Sequence, residues 1–341
     1  MKKEIKKILV IRFSSIGDIV LTSPVVRCLK LQMPKVKIHF CTKEQYKYLV
    51  DKNPYIDKVH LLGNSLDKLK TDLKVENFDY ILDLHNNIRT FLLKLSLRVK
   101  SKTYNKLRLQ RQLLATLPLS LPKPNHVVDR YMKTMEELGI SYDGEGLDFF
   151  IDKKDEVEND WLPKSHRDGY VAFAMGGTAF SKMLPIEKMI ELCDKINRPI
   201  ILIGGKEDFE NGERLVNFFN KSKYNDPLEE GLKALNKKTQ IFNGCGKFNL
   251  GQSAFLVKNS DVVFSHDTGF AHISAAFKKI IFSIWGGTVP LYFYPFETRF
   301  TILENKNLKC RPCSKNGRNS CPKKHFKCMK ENPLDFYLPE S

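Results

Sequence analysis

Asp18 is a lone acid at the end of a small, flexible loop, Ser14-Ser15-Ile16-Gly17, that follows the apolar run Ile8-Leu9-Val10-Ile11. A carboxylate at the carboxyl end of a first strand sits where α/β sheets place their ligands, and there it can take a proton from a hydroxyl. It can equally cap the helix pattern that begins at this point, and the sequence alone leaves both readings open. A second group of residues suits an anion. Met175-Gly176-Gly177-Thr178 leads to Lys182 and Pro185, so glycines bare the backbone N–H groups while Thr178 and Lys182 add a donor and a charge. Further on, Asp267-Thr268-Gly269 opens a helix whose first N–H groups can hold a phosphate, with His272 one turn in. Glu207, just past the turn Gly204-Gly205, can accept from ribose hydroxyls or simply favour the start of its helix.

Two further stretches carry chemistry. No acid lies between Asp83 and Asp129, and the interval holds Arg89, Lys94, Arg98, Lys106, Arg108 and Arg111 interleaved with Phe91, Leu92, Leu95 and Leu97. Solvated faces normally mix signs, so this run suits an anionic, lipid-bearing surface or acceptor, as do His85 nearby and Ser15 and Gly17 in the first loop. Near the C-terminus Cys310, Cys313, Cys321 and Cys328, with His325 among them, offer either a structural zinc site or buried free thiols.

The elements that must position these residues read as alternating strands and helices. Strands are expected at 8–12, 36–41, 57–61, 79–84, 170–174, 199–203, 239–242, 261–264 and 280–284, and helices at 18–31, 65–75, 185–196, 207–220, 249–258 and 268–277. Such alternation makes parallel, doubly wound sheets. The acidic, poorly periodic stretch 141–168 reads as the joint between two Rossmann-like domains, 1–155 and 156–330, with a tail 331–341 that can pack back on the first. Between two such domains a cleft is expected, with the ligands in it.

Composition narrows the partners. The 341 residues carry a formal net charge of +17 with a pI of about 9.4, which points to anionic partners. Neither G-x-G-x-x-G nor G-x-x-x-x-G-K-[ST] occurs, which argues against a dinucleotide oxidoreductase or a P-loop NTPase. Asp-x-Asp, a common metal-holding pair on diphosphate substrates, is also missing, so any diphosphate charge falls to cations and N–H groups. Scattered cysteines and the absence of a convincing leader suggest a cytoplasmic protein.

Taken together, Arg12-x-Ser14-Ser15-x-Gly17-Asp18 with Pro24, Asp83-Leu84-His85 with Arg89-Thr90, Lys182 with Pro185, Asp267-Thr268-Gly269-x-x-His272 and the turn Gly286–Pro290 resemble glycosyltransferase family 9, the ADP-heptose:lipopolysaccharide heptosyltransferases. The resemblance implies an α/β GT-B fold of two facing Rossmann-like domains, the acceptor on the first and the nucleotide-sugar on the second. It implies inverting transfer without metal or other cofactor, from ADP-heptose to a lipid-linked anionic glycan at the inner face of the cytoplasmic membrane; a monomer that does not bind nucleic acid is expected. Asp18 matches the family's catalytic base; Thr178, Lys182, Thr268 and Gly269 match its phosphate contacts, Glu207 its ribose contact, and His272 a position near the diphosphate. Positions 86–125 do not match the family's acceptor contacts residue by residue, so the acceptor stays open among Kdo, heptose and other glycans. Two other readings remain: a family member using a different nucleotide-sugar, or a basic protein that binds nucleic acid or membrane through 89–123.

Overall fold

The computed structural model describes residues 4–107, 125–221 and 238–339, which leaves Arg108 and Arg111 outside the described residues. The described chain forms two compact units, each built on a parallel sheet. The first holds 4–107, 125–150 and Leu291–Glu297; the second holds Ile151–Pro290 and the residues from Thr298 onward.

In the first unit β1 (Lys7–Ile11) is central. It pairs with β2 (Lys37–Lys43) on one side and β4 (Tyr80–Asp83) on the other; β3 (Lys58–Leu62) and β5 (Ser101–Thr103) form the edges. Ile8, Leu9, Val10 and Ile11 are fully buried, as expected for a strand covered on both faces. The single helix expected over 18–31 is two: α1 (Ile16–Val20) and α2 (Ser23–Gln32). Pro24 has no N–H for the carbonyl of Val20, and the Ser23 hydroxyl takes that carbonyl instead at 2.7 Å. Thr22 bonds back to the carbonyl of Ile19 at 2.6 Å, so the ladder is broken by side chains that compete with it. The remaining helices are α3 (Tyr48–Asp51), α4 (Leu66–Lys74), α5 (Ile88–Leu97) and α6 (Val127–Met132). A core of Leu9, Ile11, Phe13, Leu69, Leu73, Ile81 and Leu93 joins sheet to helices.

The stretch read as a joint is partly structural. Arg27 of α2, buried, grips Asp143 through two bonds of 2.7 and 2.8 Å and also pairs with Asp148, which ties 143–148 to the first unit. Leu291–Glu297 also belongs here. His126, at the start of α6, stacks on Phe296 at 4.6 Å, and Tyr142 donates to Glu297 at 2.8 Å.

The second unit has the order β11-β10-β9-β6-β7-β8, with β6 (Val171–Ala174), β7 (Pro199–Ile203), β8 (Gln240–Asn243), β9 (Val262–His266), β10 (Ile280–Trp285) and the edge strand β11 (Phe300–Glu304). Its helices are α7 (Ile186–Ile196), α8 (Phe209–Lys221), α9 (Leu250–Asn259), α10 (Gly269–Ala276) and α11 (Lys327–Lys330). Alternate residues serve opposite faces: Val171, Phe173, Ile200 and Leu202 in one core, Ala172, Ala174, Ile201 and Ile203 in the other. Leu334, Phe336 and Leu338 of the tail lie in the first of these cores rather than in the first unit's, a correction to the expected return of 331–341; Phe336 meets Phe264 and Phe282 at ring distances of 4.9 and 5.3 Å. Among the described residues no helix is long and apolar enough to cross a membrane.

Candidate functional site

Each sheet reverses its strand order once, between β1 and β4 in the first unit and between β6 and β9 in the second. Loops leave such a switch point in opposite directions and open a crevice at the carboxyl edge. Asp18, His85, Thr178, Lys182, Thr268 and Gly269 follow those strands, and Glu207 follows the neighbouring β7.

In the first unit Asp18 is the third residue of α1, which starts after Ser15. Its Oδ2 accepts from Arg12 Nη2 at 2.6 Å, from the Ser15 N–H at 3.2 Å and from the Ser15 hydroxyl at 3.1 Å. Among the described residues no hydrogen bond or ion pair falls on Oδ1, and the side chain is 24% exposed. Capping and a free basic oxygen therefore coexist, one on each oxygen. Burial pushes the carboxyl up, but the Arg12 guanidinium and the Ser15 bonds outweigh it and hold Asp18 below the usual carboxylate range. Arg12 is buried and fixed: Nε donates to Ser14 O at 2.8 Å, Nη1 to Leu84 O at 2.5 Å, and the guanidinium lies 5.9–6.0 Å from the rings of Tyr131 and Tyr104. It thereby links the ends of β1 and β4, a role the strand pattern did not disclose. Gly17 is buried within α1.

His85 follows β4. Burial and the nearby charges of Arg12 and Lys106 push its pKa down to about 4, so the ring is neutral at pH 7. Asp83 accepts the N–H groups of His85 and Asn86 at 3.0 and 2.7 Å through one oxygen and pairs with Lys94 at 2.8 Å through the other. Lys94 is thus turned inward, which removes it from the anionic surface expected of it, whereas Arg89 and Arg98 on the same helix are exposed. Arg89 also lines a recess of about 590 Å³ with Lys43, Glu44 and Asn64, past the carboxyl ends of β2 and β3.

In the second unit Lys182 and Asp267 meet directly, Nζ to Oδ2 at 2.7 Å, and Thr288 donates to the same oxygen at 2.9 Å. Thr268 precedes α10 without a side-chain cap, so Gly269 opens a helix whose first turn is uncapped; His272 is buried one turn in. Thr178 is exposed on the loop after β6, and Glu207 is exposed after β7 with its carboxylate folded over Gly205. Strand order brings the loops after β6, β7 and β9 to neighbouring positions along one edge.

Several supports were not read from sequence. His266 accepts the Leu184 N–H at 3.1 Å and bonds Met175 O at 2.9 Å, which fixes both ends of the Lys182 loop; burial holds its pKa near 4. Asp208 accepts the Gly205 N–H at 2.9 Å, and a Cβ on Gly204 would lie 2.7 Å from its carboxylate. The C-terminal segment braces Lys182: Ser181 exchanges bonds with Arg318 at 2.9 and 2.8 Å and accepts the Gly287 N–H at 2.9 Å. Arg311, held by Gly286 O, Thr288 O, Asn305 O and Glu304, fastens the turn after β10. The glycine pattern around 286 hinted at such close packing; the long-range partners had no local signature.

The four C-terminal cysteines offered for zinc or as free thiols gather in one place: Cys313 feels the charges of Cys310 and Cys321, and Cys328 those of Cys310, Cys313 and Cys321. Cys310 faces His325 at 3.8 Å, Cys313 bonds Gly287 O at 3.5 Å, Cys321 accepts the Phe326 N–H at 3.3 Å, and Cys328 is buried. Elsewhere among the described residues, His39, His60 and Glu76 bring their ligand atoms within 4.8 Å of one another. There the imidazole nitrogens are 2.9 Å apart, and Lys7 and Lys58 already pair with Glu76 at 2.9 and 2.5 Å.

Comparison with known proteins agrees with this layout. The profile of glycosyltransferase family 9 (heptosyltransferase) matches residues 66–324. Lipopolysaccharide heptosyltransferase 1 of Campylobacter coli is 21% identical over 319 residues, 87% of this chain and 88% of the relative. The crystal structure of a family 9 glycosyl transferase from Veillonella parvula superposes with a TM-score of 0.71 at 21% identity, over 89% of this chain and 88% of that one. E. coli heptosyltransferase WaaC, solved with ADP-2-deoxy-2-fluoro heptose, gives a TM-score of 0.62 at 19% identity, over 96% and 97%. Two parallel sheets with helices on them, matching these GT-B structures over nearly their whole length, establish the fold class, and the profile match over most of the chain shows that this protein belongs to glycosyltransferase family 9, the heptosyltransferase family, and is a glycosyltransferase.

Proposed function

We propose that this chain transfers a heptose from ADP-heptose to an inner-core sugar of lipopolysaccharide, Kdo or heptose, with inversion at the anomeric carbon and without a metal. The observation that carries the reading is the division of labour at Asp18: Oδ2 is fixed by Arg12 and Ser15, and Oδ1 is left to a ligand. An acceptor hydroxyl attacks the anomeric carbon and passes its proton to Oδ1, while the bond to the diphosphate breaks. A carboxylate held at low pKa is ionised throughout the physiological range but weakly basic, so the proton moves late, once the attacking oxygen carries positive charge.

The departing diphosphate gains negative charge. Lys182, Thr178 and the first turn of α10 at Thr268 and Gly269 are the groups of this chain suited to meet it. Asp267 pairs with Lys182 and holds it in place, and a phosphate oxygen competes for that ammonium. Glu207 accepts from the ribose, and His272 lies behind the diphosphate. The first unit supplies the acceptor side and the second the donor side, in a cytoplasmic enzyme at the inner face of the membrane. Support for the donor comes from the bound analogue in the E. coli neighbour, and for the pathway from the Campylobacter relative.

Asp18→Asn tests the reading. Transfer is expected to fall by roughly 10²–10⁴-fold, the usual worth of general base catalysis, while ADP-heptose still stabilises the protein in a thermal-shift assay. Turnover close to that of the unaltered enzyme rules out the assigned role, and activity that disappears in excess EDTA rules out metal-free transfer.

A further inference from the structure

Helix α5 wears its apolar residues on the outside. Ile88, Phe91, Leu92 and Leu95 are 69%, 55%, 38% and 63% exposed. Their spacing, i, i+3, i+4 and i+7, makes one stripe along the helix, whereas Thr90 and Leu93 on the opposite side are buried. The other strongly exposed large aliphatic residues of this unit, Leu31 and Val75, lie on other elements. Arg89 and Arg98 flank the stripe; both are exposed, and neither has an acidic partner among the described residues. The neighbouring Lys100 and Lys102 are already paired with Glu137 at 3.3 and 2.5 Å. No acid occurs from residue 84 to residue 128.

From this arrangement we infer that α5 is the element that docks the enzyme on an anionic phospholipid surface, its stripe entering the headgroup–acyl boundary and Arg89 and Arg98 meeting lipid phosphates. Apolar side chains bordered by cations are what such an interface selects. The alternative occupant, a second copy of this chain, fits worse. A two-fold pairing of the stripe with itself would bring Arg89 and Arg98 against their own counterparts, with no acid of this segment to answer them. Position agrees as well. Asn87 caps helix α5 three residues after Leu84, whose carbonyl is held by the same Arg12 that pairs with the candidate base. The inference rests on the proposed lipid-linked acceptor for its purpose: the lipid stays in the membrane while the glycan reaches the sheet edge.

The test compares the full-length protein with a Phe91→Ser/Leu95→Ser double variant, whose exposed positions carry no core packing. Sedimentation with mixed phosphatidylglycerol–phosphatidylcholine vesicles and with pure phosphatidylcholine vesicles is the first readout. Binding to the anionic vesicles that weakens with salt, and at least about tenfold weaker binding by the variant, are expected from the loss of two buried apolar side chains. Equal binding by the two proteins, binding indifferent to lipid charge, or no binding by the unaltered protein overturns the inference. So does a lipid-free dimer in sedimentation velocity that the variant splits. Transfer to a delipidated, water-soluble acceptor should be equal in both proteins, while transfer to the same acceptor embedded in anionic vesicles should fall in the variant. If neither protein transfers to either acceptor yet the vesicle difference holds, the docking surface stands and the proposed reaction fails.

Discussion

Asp18 commits one oxygen to the fold and leaves the other for chemistry, and Arg12 decides how acidic that second oxygen is. With Arg12 and Ser15 in place the carboxyl titrates below its ordinary range, so acidification to pH 5 should leave it ionised. Replacing Arg12 by Gln removes the charge that offsets burial, and the carboxyl pKa rises. The acid limb of the kcat/KM profile should then move to higher pH in Arg12→Gln, while an unmoved limb would mean that Asp18 does not govern it. Donor affinity, which the proposed function assigns to Lys182 and α10, should be unchanged. The acid itself was legible in the sequence, because a lone carboxylate after a first strand and a small-residue loop is a local pattern. Arg12's hold on it was not: an arginine closing an apolar run reads as an interruption, and its partners at Leu84 and Tyr104 are remote in sequence.

At the level of elements, the amino ends of β2 and β3 and the end of α4 meet in a cluster sensitive to acid. His39 is pushed down to about 4, by burial first and by the charges of His60, Lys7 and Lys58, against the pull of Glu76. The folded state therefore binds this proton less readily than the unfolded chain, whose histidines titrate near 6.5. Stability is full above pH 6.5 and falls as the pH drops toward 4, by up to roughly 3 kcal/mol for this one group. Glu76, lowered to about 2, adds stability that is lost only below about pH 4.5. Urea unfolding of His39→Gln should thus show a shallower loss between pH 6.5 and 5 than the unaltered protein; an identical slope would show that His39 carries no part of it. His85 and His266, also near 4, leave the variant a residual slope. Periodicity located most strands within a residue or two, because each carries a run of apolar residues. It missed β5, which has no apolar residue, and the short, half-exposed edge strand β11, and it ran α1 into α2, because the break depends on hydroxyls bonding back to the chain.

Across the whole molecule, two sheets with separate cores need not unfold together. Both tryptophans, Trp161 and Trp285, belong to the second unit. Tryptophan fluorescence therefore reports that unit, while far-ultraviolet circular dichroism reports both. The two urea curves should differ in midpoint, whereas coincident curves would mean that the units unfold as one. Two repeats of strand–helix alternation made the bipartite plan readable. The return of Leu291–Glu297 to the first unit was not, since its aromatic residues find His126 and Tyr142 only through tertiary packing. That return bears on heredity. A recombination event that exchanged everything before residue 150 between two relatives would separate His126 from the aromatic residues shaped to meet it. The halves of this enzyme are therefore not modules that evolution can shuffle with one crossover; each exchange must carry a second, short patch of gene with it, or must find a partner whose patch already fits.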